Sequence, residues 1–152
     1  MKVKFKYGIK TYSGKVDEMV YGSFRHDNLC ISREFVYPTL TEDNHLKGSM
    51  LKNLALVYHD ADEDYVADLK TYSYRNGQSN VPKDKLVPTA FSMFLKMMYA
   101  WYETDPEHVD LTTVTVADIV TMDADVRTLA RAVAAGFLPY ITVYDDLTHG
   151  IQ

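Results

Sequence analysis

LCISREFVYPTLTEDNHLKGSMLKNLALVY, residues 29–58, contains the change of period that decides the fold. Across LCISREFVY, Leu29, Ile31, Phe35 and Tyr37 fall on one side of an alternation of two, the pattern of a half-buried strand. Pro38 closes that region, because proline has no N–H to give to a ladder. Thr39, followed three residues later by Glu42, has the form of a capping box. Beyond it Leu46, Met50, Leu54, Val57 and Tyr58 recur by three and four, the spacing of one helical face. Strands are therefore expected before Pro38 and helices after it.

Toward the amino end, KVKFKY alternates Val3, Phe5 and Tyr7 with Lys2, Lys4 and Lys6, a strand whose lysines would protect an open sheet edge. The run from Lys15 to Arg25 reads as a second strand, and His26, Asp27 and Asn28 supply the turn chemistry of a β-hairpin into LCISREFVY. Between the first two strands lies GIKTYSGKV, residues 8–16, which begins like a phosphate-binding loop. That motif needs four residues between its glycines and a hydroxyl after its lysine. Here five residues separate Gly8 from Gly14, and Val16 follows Lys15, so the stretch reads instead as a Ser13-Gly14 turn with Lys15 opening a strand.

Toward the carboxyl end, a second helix is expected to start in DADED, residues 60–64, and to gather Tyr65, Val66, Leu69 and Tyr72. Residues Arg75 to Pro88 have the glycine, asparagine and proline content of a long mobile loop. In the next helix Phe91, Phe94, Leu95, Met98 and Trp101 form a stripe that Met93, Met97 and Ala100 widen. A helix apolar on most sides is central in its own core or shared with another subunit. Thr115 and Asp118 cap a short helix holding Val116, Ile119 and Val120; a further one carries Val126, Leu129 and Val133 to a stop at Gly136, with Pro139 beyond. Ile141 to Tyr144 reads as a last strand. The expected fold is one α+β domain over residues 1–152, with an N-terminal antiparallel β-hairpin or arm at 1–38. A mainly helical body of four to five helices follows at 39–140, then a short strand and tail at 141–152.

Of the 152 residues, 47% are hydrophobic and 24% charged, enough apolar material for a packed core and no compositional case for disorder. No apolar run approaches the roughly 18 residues of a membrane helix, and the lysine-rich start is unlike a cleaved signal, so cytoplasmic synthesis is expected. Cys30 is the single cysteine, which excludes an internal disulfide and a cysteine-based zinc cluster; its LCIS setting suggests a buried, inert thiol. The charge is uneven. Residues 1–20 hold five lysines against Asp17 and Glu18, a balance of +3. Residues 103–126 hold Glu103, Asp105, Glu107, Asp110, Asp118, Asp123 and Asp125 with no lysine or arginine, a balance of −7.

Motifs of catalysis and metal binding are thin. Asp60, Asp62 and Asp64 stand at the first, third and fifth positions of an EF-hand-like loop, but Tyr65 takes the place of its glycine and Thr71 that of its closing glutamate. Acidic residues in a first helical turn already have a reason, since they oppose the positive end of the helix dipole. His26, His45, His59, His108 and His149 form no i, i+4 pair, and no nucleophile elbow is present. The expectation is a chain without catalytic residues, cofactor, metal site or small-molecule substrate.

Residues Thr115 to Pro139 resemble the helix-turn-helix of MerR-like regulators and excisionases, carried by Val126, Arg127, Thr128, Leu129, Gly136, Leu138 and Pro139. The resemblance implies duplex DNA as partner, with Arg127 and Arg131 facing it, and Asp123 stands at the turn where that family has glycine. A second resemblance, over Ser13 to Tyr58, is to small uncharacterised proteins of phage and mobile-element neighbourhoods. It is carried by Ser13, Gly14, Lys15, Val20, Tyr21, Arg25, Arg33, Val36, Pro38 and Thr39, and implies a virion or assembly component. The preferred expectation is a non-enzymatic structural protein that associates with copies of itself. Its candidate interface residues are Lys2, Val3, Lys4, Phe5, Lys6 and Tyr7 in the basic arm, Asp105, Glu107 and Asp110 in the acidic region, and Met93, Met97 and Trp101 in the methionine-rich helix. The alternative is a DNA-binding regulator.

Overall fold

The computed structural model describes residues 1–4, 11–24 and 29–152. An antiparallel four-stranded sheet at the amino end precedes five α-helices, the α+β arrangement expected from the change of period at Pro38. The chain divides into two units, Met1–Leu40 and Thr41–Gln152.

In the first unit, β1 (Lys2–Val3), β2 (Gly14–Val16), β3 (Met19–Phe24) and β4 (Leu29–Glu34) lie in the order β1-β4-β3-β2. β3 and β4 pair from Phe24 and Leu29 to Met19 and Glu34, which is the hairpin read from the sequence. The turn proposed for it, His26 to Asn28, falls outside the described residues. Two expectations are corrected. Lys15 to Arg25 is not one strand: Val16 pairs with Met19 across a two-residue turn, Asp17-Glu18, with Asp17 at φ 53°. Aspartate tolerates that left-handed conformation better than most residues, and with no glycine or proline to mark the turn the alternation ran straight through it. Ser13-Gly14 does not join neighbouring strands either, because β1 pairs with β4 at the edge opposite β2, and Gly14 opens β2.

The register puts Val3, Tyr21, Ser23, Cys30 and Ser32 on one face and Lys2, Val20, Phe24, Leu29 and Ile31 on the other. Cys30 is buried, and its thiol donates to the Tyr12 carbonyl at 3.5 Å while the Tyr12 ring meets Tyr21 edge-on. Lys15 sits inside β2, its Nζ 4.0 Å from the centre of the Phe35 ring. Its partner there is an aromatic face, and a strand stands where a phosphate-binding loop would begin a helix.

The second unit holds α1 (Glu42–Asp60), α2 (Glu63–Ser79), α3 (Ala90–Thr104), α4 (Val116–Thr121) and α5 (Leu129–Ala134). Every one starts on a threonine or aspartate whose side chain accepts a backbone N–H of the first turn: Thr41, Asp62, Thr89, Thr115 and Thr128. At α4 the full reciprocal box of Thr115 and Asp118 forms as expected. At α1 the cap is Thr41 paired with Asn44, in place of the expected Thr39 and Glu42. The chain stays non-helical for two residues more after Pro38, so the second of two threonines takes the role.

Met50, Leu54, Val57, Tyr65, Leu69, Tyr72, Met93, Phe94, Met97, Met98 and Trp101 are buried together with apolar residues of the irregular carboxyl half, among them Leu111, Ile141, Leu147 and Ile151. That half contains little regular structure, so its backbone groups need partners from elsewhere. Helix side chains supply them. Asn53 donates to the Leu111 and Val114 carbonyls, Tyr65 to Val126 at 3.0 Å, Tyr72 to Pro139 at 2.7 Å, Ser73 to Pro88, Arg75 to Val143 at 2.9 Å and Asn80 to Tyr140 at 3.0 Å. Asp68, 8% exposed, accepts from both the backbone N–H of His149 at 3.2 Å and its ring Nδ1 at 3.0 Å.

Three further readings are corrected here. Arg75 to Pro88 is not all loop, because α2 continues to Ser79 with Asn76 buried. Gly77 lies within this helix, and the position takes glycine because a Cβ there would come within 2.6 Å of the Val87 side chain packed against it. The helix expected through Val126, Leu129 and Val133 breaks at Thr128 into a 3₁₀ turn, Asp125–Arg127, and α5. The tail occupies the break, with Ile151 N–H on the Arg127 carbonyl and Ala130 N–H on the Leu147 carbonyl. Ile141 to Tyr144 is no strand; Val143 takes φ 63° and a 3₁₀ turn follows at Tyr144–Asp146.

Burial pushes the Tyr65 phenol well above its ordinary pKa and the Tyr72 phenol up to about 12, so both remain neutral donors. Replacing Tyr65 by Phe strands the buried Val126 carbonyl and is expected to destabilise the protein by about 1–3 kcal/mol in chemical denaturation, whereas Tyr74→Phe, on the exposed side of α2, stays within about 0.5 kcal/mol.

Candidate functional site

The acidic segment runs from the end of α3 to the turn before α5, and local hydrogen bonds fix each of its aspartates. Asp105 ends α3 and meets His108 Nδ1 at 2.8 Å. Asp110 accepts from the Thr112 N–H at 2.8 Å, the Thr112 hydroxyl at 2.7 Å and the Thr113 hydroxyl at 3.3 Å, and Asp118 accepts from the Thr115 N–H at 2.9 Å and hydroxyl at 2.7 Å. These bonds, from Thr112 and Thr115 respectively, hold both carboxyls below the usual aspartate range and keep them charged. A recess of about 110 Å³ brings His108, Asp110 and Asp118 together with Trp101, Val109 and the exposed Met122.

The other end of the segment is neutralised. Asp123 takes Arg131 at 2.7 Å and Arg127 at 3.3 Å, and Asp125 takes Arg131 at 3.0 Å. Arg131 foremost, then Arg127, holds the Asp123 carboxyl below its usual range. Asp123 also has φ 46°, the left-handed turn conformation that glycine adopts most easily, so it fills both the backbone role and a charge role there. The remaining rim of Glu103, Asp105, Glu107, Asp110 and Asp118 meets no lysine or arginine among the described residues.

Of the basic arm, Lys2 and Val3 form the edge strand β1 and Lys4 follows it, with both lysines exposed; Phe5, Lys6 and Tyr7 lie outside the described residues. Met93, Met97 and Trp101 are 5%, 0% and 8% exposed in the core of their own unit, which corrects their reading as surface available to another subunit. Each is used by the packing of α3 against α2 and the carboxyl half. Asp60 ends α1, Asp62 caps α2 and Asp64 lies in its first turn, so the EF-hand-like spacing spans a helix junction. Among the described residues no group of three acidic, histidine or cysteine side chains is placed to hold a metal ion, and no helix is long and apolar enough to cross a membrane.

Sequence reasoning missed the pairing of Asp68 with His149, which lie 81 residues apart with no local motif to join them. It also missed Leu46, read as core and found 49% exposed. The chain matches no family model, no curated protein and no solved structure with which it was compared.

The lowered carboxyls carry a pH dependence of definite sign. A group with a depressed folded pKa contributes stability above its unfolded value of about 4 and loses it as pH falls through the folded value. The protein is therefore expected to lose stability below about pH 4, and Asp118→Asn with Asp123→Asn to flatten that acid limb in urea titrations at successive pH values. An unchanged limb would show that these two carboxyls are not linked to folding.

Proposed function

We propose that the chain is a non-enzymatic structural protein, a virion-like or filament-like component, that associates with copies of itself through complementary charge. The observation that carries this reading is the acidic rim, whose five carboxyl groups find no lysine or arginine partner among the described residues, with Asp110 and Asp118 held charged by their threonine hydrogen bonds. The exposed lysines of an edge strand, Lys2 and Lys4, are groups of the opposite sign in the same chain. Basic and acidic patches on one chain favour a head-to-tail contact, in which the arm of one copy meets the rim of the next. Edge position adds a second attraction, since among the described residues no strand pairs with the outer side of β1.

The alternative, a helix-turn-helix regulator of DNA, would require Arg127 and Arg131 to face phosphates. Both are engaged by Asp123 and Asp125, and α5 has only six residues, Leu129–Ala134, to lie in a groove. Phosphate attraction supplies most nonspecific DNA affinity, and two paired arginines beside an acidic rim offer little of it.

Light scattering on a size-exclusion column, over a range of protein and salt concentrations, tests the proposal. A species larger than the monomer is expected, loosening between low salt and about 0.5 M as the charges are screened. Lys2→Glu with Lys4→Glu should weaken the association roughly tenfold or more. A monomer at every concentration overturns the reading.

A further inference from the structure

The first two turns of α1, Glu42–Ser49, are exposed at every residue, and burial starts only at Met50. The apolar stripe nevertheless continues outward. Leu46 precedes Met50 by four residues and lies on the same helical face as Met50, Leu54 and Val57, yet it is 49% exposed where they are buried. These turns are also poor helix formers: Asp43, Asn44, His45, Gly48 and Ser49 all rank low, and a Cβ at Gly48 would meet nothing within 4 Å, so no packing accounts for glycine there. A helical segment of about 12 Å with every residue in the exposed class gains little from packing among the described residues.

Its charges give the missing partner a definite form. Glu42 and Asp43 stand at the start of the segment and Lys47 and Lys52 further along, and none of them makes an ion pair among the described residues. Against a second copy running parallel, acid would face acid and base would face base. Running antiparallel, Glu42 and Asp43 of each copy face the lysines of the other, and the helix dipoles oppose as well. Asp43, Leu46 and Lys47 share one face, so a two-fold axis beside Leu46, between it and His45, brings leucine onto leucine and sets Asp43 beside Lys47 of the partner copy twice.

We infer that Glu42–Ser49 is an isologous, antiparallel helix contact between two copies of this chain, centred on Leu46. Two turns per copy cover less than the roughly 1,200 Å² of a stable standalone interface, so the contact rests on the self-association proposed above and acts as an additional, symmetric link within it. A head-to-tail charge contact and a two-fold helix contact together would let copies join in two independent directions.

Disulfide trapping tests it. In the full chain carrying Cys30→Ser, a cysteine is placed by Leu46→Cys, by Asp43→Cys, or by Leu56→Cys as an equally accessible control on the same helix. Mild oxidation should give a covalent dimer with Leu46→Cys at a rate about tenfold or more above the other two. Separately, Asp43→Lys should weaken association and Asp43→Lys with Lys47→Asp should restore it, with circular dichroism confirming that each variant keeps its helix content. An unsubstituted chain that assembles while Leu46→Cys cross-links no faster than Leu56→Cys overturns the helix contact alone, and preferential cross-linking through Asp43→Cys overturns the antiparallel arrangement. A chain that stays monomeric throughout overturns both this contact and the association on which it rests.

Discussion

Side-chain hydrogen bonds from α2 to main-chain carbonyls are the constraint on which the helical unit depends. The carboxyl half contains two six-residue helices, two 3₁₀ turns and long irregular stretches, a composition that leaves many carbonyls without a ladder. Tyr65, Tyr72, Ser73, Arg75 and Asn80 reach across to Val126, Pro139, Pro88, Val143 and Tyr140, and Asp68 takes the His149 backbone. Each such bond is modest in net energy, but at the buried bond of Tyr65 to Val126 losing one partner leaves a polar group unsatisfied, and that asymmetry favours a single arrangement of the chain; the bonds of Arg75 and Asn80 are exposed and contribute less. Apolar burial of Ile141, Leu147 and Ile151 on the same side completes the attachment.

The same economy explains which parts of the fold were legible in sequence. The start of α4 was readable because threonine and aspartate caps act within three residues, as at Thr115 and Asp118, whereas the cap of α1 was read two residues early. The core stripes of α2 and α3 were readable because their period is local too. What failed depends on distant partners. Asn76 and Gly77 read as loop residues until Met93 and Val87 are seen against them, and Thr128 breaks a helix because the tail takes up the groups that the break frees. Ile141 and Val143 have strand-forming side chains, but the Val143 carbonyl is held by Arg75 in a turn. In the candidate site, Asp105, Asp110 and Asp118 were legible as charge, whereas Met93, Met97 and Trp101 were misassigned because an apolar helix face looks alike whether its own core or another chain covers it.

Charge in this chain divides into used and unused portions. Asp123 and Asp125 are consumed by Arg127 and Arg131 in stabilising the turn before α5, which removes both arginines from the surface a DNA-binding helix would present. The rim from Glu103 to Asp118 and the first turns of α1 are the unused portions. The rim is acidic throughout and the first turns of α1 carry both signs, and among the described residues neither meets a lysine, arginine, aspartate or glutamate of the opposite sign. That distribution is what motivates the proposal of a second copy as partner.

Hydrogen exchange followed by mass spectrometry on the intact chain bears most directly on the role of α2. If its side chains hold the irregular half in place, the hydrogen-bonded amides of Leu147, His149 and Ile151 will be protected and will lose that protection together with the amides of α2, as one cooperative unit. Rapid exchange of these three amides while α2 remains protected would contradict the account, since it would mean that the carboxyl half opens independently of the bonds α2 makes to it.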